Sequence, residues 1–322
     1  MELQRAKIIN PVDPNRATKL FGGEASGILN WNDLKYPHFY ELREEVRANF
    51  WIAAEVDMSA DGRVFPTYAH RDAVLETLAL LAHHNEQQID LSSLVADYTT
   101  DPSVTSVFAT MYDQNSEHNH ALNYAIGHLA GEEEQAEVLR VDNDVLSKRR
   151  LRAKEQYEKL QKEPTERHIL EALAYLAVFK GMQYYTRFVT TYEMTERGEM
   201  KSVSELVGLI HRDRLAQLKF IGELFRTALQ ESGIDKLDIH PYVKELIREE
   251  VELEKDDVAR EDLESYIRYR ANRVCRVLGV TEMYQETSNP LAWIDKYTTF
   301  ESTDEAPKQE SVGFDLDGFD DL

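Results

Sequence analysis

From about Tyr36 to Gly279 the apolar residues recur at three- and four-residue steps, interrupted only by short breaks, and this period constrains the fold more than any other feature. His38-Phe39-Tyr40 through Phe50-Trp51 opens the pattern. Further helical stretches are expected at roughly 66–92, 101–129, 132–162, 165–197, 202–231, 239–258 and 261–279. The breaks fall at Asp61-Gly62, Asp101-Pro102, Pro164, Gly198, Gly233 and Gly279, where side-chain caps, a first-turn proline or a left-handed glycine end or start helices. With only 14 Gly and 9 Pro in 322 residues the chain has few turns to spend on strands. An all-α helical bundle is the expected class. No internal repeat and no Gly/Ser linker divides it. The expected organisation is an irregular arm over 1–35, a helical domain over 36–297 and an acidic tail over 298–322.

Composition narrows the function. A net charge of −22 repels phosphate backbones, so nucleic-acid binding is not expected. The one cysteine, Cys275, permits neither an internal disulfide nor a Cys-rich zinc site. No apolar run reaches membrane-spanning length and the first residues have no signal-peptide core, so a cytoplasmic protein with no membrane association is expected. The stretch 301–322 carries a net charge of −7, yet holds Phe314, Leu316, Phe319 and Leu322. A purely solubilising tail needs none of these, so a docking peptide is the favoured reading.

The most specific local cluster is Glu117-His118-Asn119-His120-Ala121-Leu122-Asn123-Tyr124. Glu117 and His120 are three apart and share a helix face, with Tyr124 one turn beyond. In helix bundles Glu-x-x-His supplies one carboxylate and one imidazole to a carboxylate-bridged metal pair. Alone it is more often a solvated face.

Four motifs in order change that weight. Phe50-Trp51 with Glu55-Val56-Asp57-Met58-Ser59-Ala60-Asp61 resembles a segment of the class I ribonucleotide reductase small subunits. So does Tyr266-Ile267, Tyr269 and Ala271-Asn272-Arg273 through Leu278-Gly279 to Asn289-Pro290-Leu291-Ala292-Trp293. Glu117-x-x-His120-x-x-x-Tyr124 is similar to the family's first ligand helix with its radical tyrosine, and Arg212-Asp213 stands where the family has Arg-Asp-Glu-x-x-His. The resemblance implies a ferritin-like bundle and a homodimer whose tail docks on a large catalytic subunit. It implies the beta subunit of a ribonucleoside-diphosphate reductase, active only with that large subunit in deoxyribonucleotide synthesis. Tyr124 would hold the radical, and Trp51 with Asp213 would form the transfer pair. An activating flavoprotein is a further candidate partner.

The sequence departs from that family at the metal ligands. After Asp213 come Arg214-Leu215-Ala216-Gln217, placing Arg214 and Gln217 where Glu and His belong. Lys180-Gly181-Met182-Gln183-Tyr184-Tyr185 puts Lys180 at another carboxylate position, and 34 residues separate it from Arg214, the family's own spacing. The first carboxylate stays open among Ala82, Asn85 and Glu86. Neither ammonium nor guanidinium offers a lone pair to a metal, so Lys180 and Arg214 are expected to replace the ions' charge and bridge to Glu117. No dinuclear metal and no other cofactor are expected, only a protein radical on Tyr124 or a modified tyrosine. Tyr184, taken as one helical turn from Lys180, is a second phenol. No tyrosine follows Tyr297, so either Tyr297 serves in place of the family's tail tyrosine, the relay is altered, or this chain passes no radicals. The runner-up is a degenerate homologue acting as a structural or regulatory partner without a radical. A ferritin-like metal oxidase is opposed by Lys180, Arg214 and Gln217.

Overall fold

The computed structural model describes residues 2–5, 17–24, 32, 34–48, 50–87, 89–258 and 260–297, without the side chains of 85–87, 89, 132 and 261. The acidic tail and most of the N-terminal arm therefore lie outside the described residues. In chain order the helices are α1 Pro37–Ala48, α2 Ser59–Val64, α3 Arg71–Gln87, α4 Ile89–Ala96, α5 Pro102–Ala130 and α6 Glu132–Val138. There follow α7 Asp144–Lys162, α8 Glu166–Gly181, α9 Tyr185–Glu196, α10 Lys201–Ser232, α11 Lys236–Asp257 and α12 Glu264–Val277. Among the described residues the only β pairings are two isolated bridges, Glu2 with Thr165 and Phe21 with Thr99. The chain is all-α, as its periodicity requires.

The ends obey local chemistry. Asp101 caps α5 by accepting from Ser103 N at 2.9 Å, with Pro102 in the first turn. Thr165 caps α8 through His168 N at 3.2 Å, and Gly233 ends α10 at φ 70°. Three expected long helices are split, the stretch 66–92 between α3 and α4. The stretch 132–162 breaks where Asn143 caps α7 by accepting from Leu146 N at 2.7 Å. The stretch 165–197 breaks at Met182–Tyr184, where Tyr184 sits in the left-handed region at φ 61°.

That strained residue is held from outside. Arg149 on α7 is fully buried and bonds Glu250 and Glu254 of α11 at 2.5 and 2.6 Å. Glu254 in turn accepts from the Tyr184 backbone N–H and, at 2.9 Å, from the Thr186 hydroxyl. The Arg149 guanidinium also lies 4.1 Å from the Tyr184 ring centroid. The cost of a left-handed tyrosine, roughly 1–3 kcal/mol, is offset by this network. Tyr184 therefore is not one regular turn beyond Lys180, as the sequence suggested; α8 has already ended.

Helix α8 is buried at every residue from Ile169 to Gly181 and packs on α7, α10, α11 and α12, while α5 packs on α1 and α3. The apolar core falls into two halves. One contains Phe108, Met111, Phe179, Leu218 and Phe220; the other contains Leu78, Ala121, Leu122, Phe188 and Ile210. Between them, on α5, α8 and α10, the buried positions turn polar: Asn115 and His118, Lys180, and His211, Asp213, Arg214 and Gln217. His84 near the end of α3 joins that layer. A polar slab thus crosses the centre of a ferritin-like bundle.

Candidate functional site

Every group of the slab but His84 has a hydrogen-bond partner, although among the described residues Arg214 Nε and Nη1, Gln217 Oε1 and both ring nitrogens of His84 have none. Lys180 Nζ donates to Asn115 Oδ1 at 3.1 Å. Arg214 Nη2 donates to the carbonyls of Phe179 at 3.0 Å and Gln183 at 2.7 Å. Those carbonyls are left free by the break after α8, and a cation there also meets the negative end of the helix dipole. The same guanidinium lies 5.1 Å from the Tyr185 ring and 5.0 Å from Phe188. Gln217 donates to Gln114 at 2.9 Å. His84 stacks on Phe179 with centroids 3.8 Å apart.

Burial, then the neighbouring Arg214, pushes the Lys180 pKa well below its ordinary value. Burial lowers Arg214 to about 10, so it stays charged at neutral pH. The His84 imidazole is driven well down by burial and then by Arg214, Lys180 and Arg149.

At the edge of the slab two side chains converge on one carboxylate oxygen of Asp213. Trp51 Nε1 donates to Asp213 Oδ2 at 2.9 Å, and His118 Nε2 lies 2.9 Å from the same atom. Burial lowers the His118 pKa, with Asp213 opposing. A neutral His118 must carry its proton on Nε2 to donate to the carboxylate, which leaves Nδ1 as a lone pair. The Trp51 and His118 rings stack at 6.0 Å and 18°. Outside Trp51 and Asp213 opens a cleft of about 510 Å³, with Arg43, Arg47, Asp113 and Glu117 among its lining.

Trp51 and Asp213, 162 residues apart, are therefore brought together as the sequence proposed. The Glu117 cluster is not brought to Lys180. Glu117 accepts from Ala53 N at 2.6 Å and lies 3.6 Å from His120, whose side chain is 67% exposed. Tyr124 is half-buried, donates to the Val56 carbonyl at 3.1 Å and lies against exposed His128. The expected bridge from Lys180 or Arg214 to Glu117 is corrected: Lys180 bonds Asn115, and Arg214 bonds main-chain carbonyls. The reason is helical phase. Residues 115, 118 and 122 face inward, whereas 117 and 124 turn toward residues 53–56 and 120 toward solvent. The apolar stripe Val104, Val107, Phe108, Met111, Ala121, Leu122 and Ala125 passes through 115 and 118 and carried that information in the sequence. Asn115, His118 and His84 were the residues missed. The side chain of Glu86 lies outside the described residues.

The slab does not suit a pair of divalent ions. Its groups are an amine, a guanidinium, two neutral amides and three imidazoles, and the single carboxylate, Asp213, is engaged by Trp51 and His118. Arg214 has no lone pair to offer, and its fixed charge would repel an added dication at short range. Among the described residues no three His, Cys, Asp or Glu side chains converge as a metal site.

The sequence matches the family described as "Ribonucleotide reductase, small chain" over residues 28–290. A protein of Halalkalibacterium halodurans named ribonucleoside-diphosphate reductase subunit beta is 29% identical over 313 residues, covering 92% of this chain and 91% of that one. A crystal structure from Bacillus halodurans, assigned to class I ribonucleotide reductase, superposes with a TM-score of 0.85 at 28% identity, covering 91% and 99% of the two chains. A ribonucleotide reductase R2 subunit from Clostridium botulinum shares the fold, with a TM-score of 0.84 at 20% identity over 93% and 100%.

Proposed function

This chain belongs to the ribonucleotide reductase small-chain family, and from that premise we propose that it serves the reductase without a dinuclear metal centre. One observation carries the proposal: Lys180 and Arg214 are 1% and 0% exposed, and their head groups are bonded inside the bundle. A buried guanidinium such as that of Arg214 survives only where partners compensate it, and the carbonyl and amide partners here leave no set of carboxylates to balance added metal charge. The relative from Halalkalibacterium, named a beta subunit, supports the reductase assignment. Nucleotide binding and substrate reduction then belong to a large subunit, reached through the acidic 298–322 segment. Pairing with a second copy of this chain belongs to the same proposal.

Two readings of the oxidising equivalent remain in play. In the first, Tyr124 or a modified form of it stores a radical and Trp51–Asp213 passes it on. The second, a partner subunit that stores none, is favoured by the surroundings of Tyr124. A half-buried phenol beside an exposed imidazole is poorly shielded from reductants.

Elemental analysis of protein expressed with ample iron and manganese, combined with electron paramagnetic resonance of the same sample, tests the proposal. Far less than one metal per chain is expected; near-stoichiometric metal overturns it. An organic radical signal lost in Tyr124→Phe selects the first reading, and no signal at all selects the second. Removing the last eight or so residues is expected to abolish binding to the large subunit. Unaltered affinity would make the tail a bystander.

A further inference from the structure

A second route leads out of the polar slab, and it does not pass through Trp51. Tyr185, at the start of α9, has the Arg270 guanidinium 3.8 Å and that of Arg214 5.1 Å from its ring centroid. Its ring meets the His211 imidazole edge-on, with centroids 5.0 Å apart. Tyr192, fully buried two turns along α9, bonds His211 Nδ1 through its hydroxyl at 3.0 Å. On the far side of Tyr192 lies Tyr297, with ring centroids 4.3 Å apart and planes within 2°. Tyr297 ends the described chain, immediately before the acidic segment, and its hydroxyl donates to the Glu196 carboxylate.

We propose that Tyr192 and Tyr297 form a two-phenol relay that moves an oxidising equivalent between the bundle interior at His211 and the surface where the acidic segment begins.

Three features support it. A phenol yields an electron readily only if its proton leaves at the same time, and here each phenol has its own base: His211 Nδ1 for Tyr192, Glu196 for Tyr297. The His211 tautomer follows from the bonding, because Tyr192 donating to Nδ1 leaves one buried N–H unpaired, whereas the reverse also leaves the hydroxyl proton without an acceptor. The two rings are in van der Waals contact and parallel, so electronic overlap does not depend on a mobile bridge. Finally, Tyr192 and His211 are both buried, away from bulk water that would compete for the radical.

The step balances as follows. A one-electron oxidant at the surface takes an electron from Tyr297, and the phenolic proton crosses to Glu196, leaving a neutral phenoxyl. In the assembled reductase that oxidant would be a thiyl or phenoxyl radical of the large subunit. Tyr192 then returns an electron to Tyr297, which recovers its proton from Glu196, while the Tyr192 proton passes to His211. Burial and then Arg270 and Arg214 hold the His211 pKa well down. A radical on Tyr192 is therefore the higher-energy partner, and an equivalent that has entered from the surface returns outward, to Tyr297.

This inference goes beyond the proposed function and needs neither a metal nor a stored radical. In the full-length protein, Tyr192 is replaced by aminotyrosine, which oxidises more easily and reverses the gradient. A photogenerated ruthenium(III) polypyridyl complex in solution supplies the equivalent, and electron paramagnetic resonance identifies the aminophenoxyl. The expected result is an aminophenoxyl signal at 192 that is lost, or rises many-fold more slowly, when Tyr297→Phe is added. Circular dichroism and the melting temperature check that both proteins are folded. An equal rate of formation with Tyr297→Phe, or no aminophenoxyl in a natively folded protein, overturns the relay. His211→Leu, which removes the inner base, is expected to slow the same signal, and an unchanged rate would remove His211 from the relay.

Discussion

Lys180 on α8 donates to Oδ1 of Asn115 on α5 at 3.1 Å, an amine answered by a neutral amide across the centre of the bundle. An amide satisfies the hydrogen bond and supplies no compensating charge, so desolvation and Arg214 depress the Lys180 pKa. Between that depressed value and about 10.4, the unfolded chain binds more protons than the folded one. Lys180 therefore weakens the fold increasingly as pH falls through this window, and stability rises with pH across it. In Lys180→Met the rise should be shallower than in the wild type, compared by denaturant midpoints from roughly pH 7 to 10. The variant leaves Asn115 Oδ1 without its donor, about 1–3 kcal/mol, so the test is the difference in slope and not in absolute stability. Parallel slopes would show that Lys180 holds its proton as an ordinary lysine does.

Most helices from Tyr36 onward were legible because they expose a polar face or end at a residue with a cap or a turn function, as at Asp101 and Gly233. Trp51 and Asp213 were legible through neighbouring motif residues. The phase of α5 was not read correctly. Glu117-x-x-His120 satisfies a ligand spacing by itself, and spacing is blind to which way the helix faces; the flanking stripe from Val104 to Ala125 fixes the direction. The break at Tyr184 was invisible for a different reason. No local signal asks for a left-handed tyrosine; Arg149, Glu250 and Glu254 impose it from α7 and α11.

Asp213 accepts from both Trp51 and His118 through a single oxygen. Asp213→Ala strands two buried donors and should cost about 2–6 kcal/mol, counting about 1–3 kcal/mol for each. Asp213→Asn can accept from one of them, so roughly half that loss is expected. In Asp213→Asn the proton on His118 is also no longer drawn to Nε2 by a charge, and nitrogen NMR of the ring should report a shift toward the Nδ1–H form. Chemical denaturation of both variants checks the energies. Equal stability of wild type and Asp213→Ala would mean that water replaces the carboxylate at no cost.

His84, His118 and His211 are all buried with pKa values held below the ordinary one, chiefly by burial. The unfolded chain protonates them near pH 6.5, before the folded chain does. Stability should accordingly fall as pH drops below roughly 6.5, by up to about 1.4 kcal/mol per pH unit for each histidine. His84→Leu removes one titrating group and should flatten this acid limb in urea titrations between about pH 4 and 6.5. An acid limb of unchanged steepness would assign the loss to other groups.

Gly222 lies mid-way along α10, where the helix passes close to the end of α12. A Cβ built at Gly222 falls 2.0 Å from Val277 Cγ1 and 2.7 Å from the Val277 carbonyl oxygen. On an exposed helix, Gly→Ala would stabilise by about 1 kcal/mol. Here overpacking against a neighbouring backbone should cost about 1–3 kcal/mol or more, enough to reverse the sign. Trimming the valine relieves only the side-chain part of the clash, because the carbonyl stays in place. The double variant Gly222→Ala/Val277→Ala should therefore remain less stable than Val277→Ala alone, by a smaller margin than Gly222→Ala falls below the wild type. Thermal melts of the four proteins make that comparison, and a Gly222→Ala protein melting at or above the wild type would show that α10 and α12 can separate at little cost.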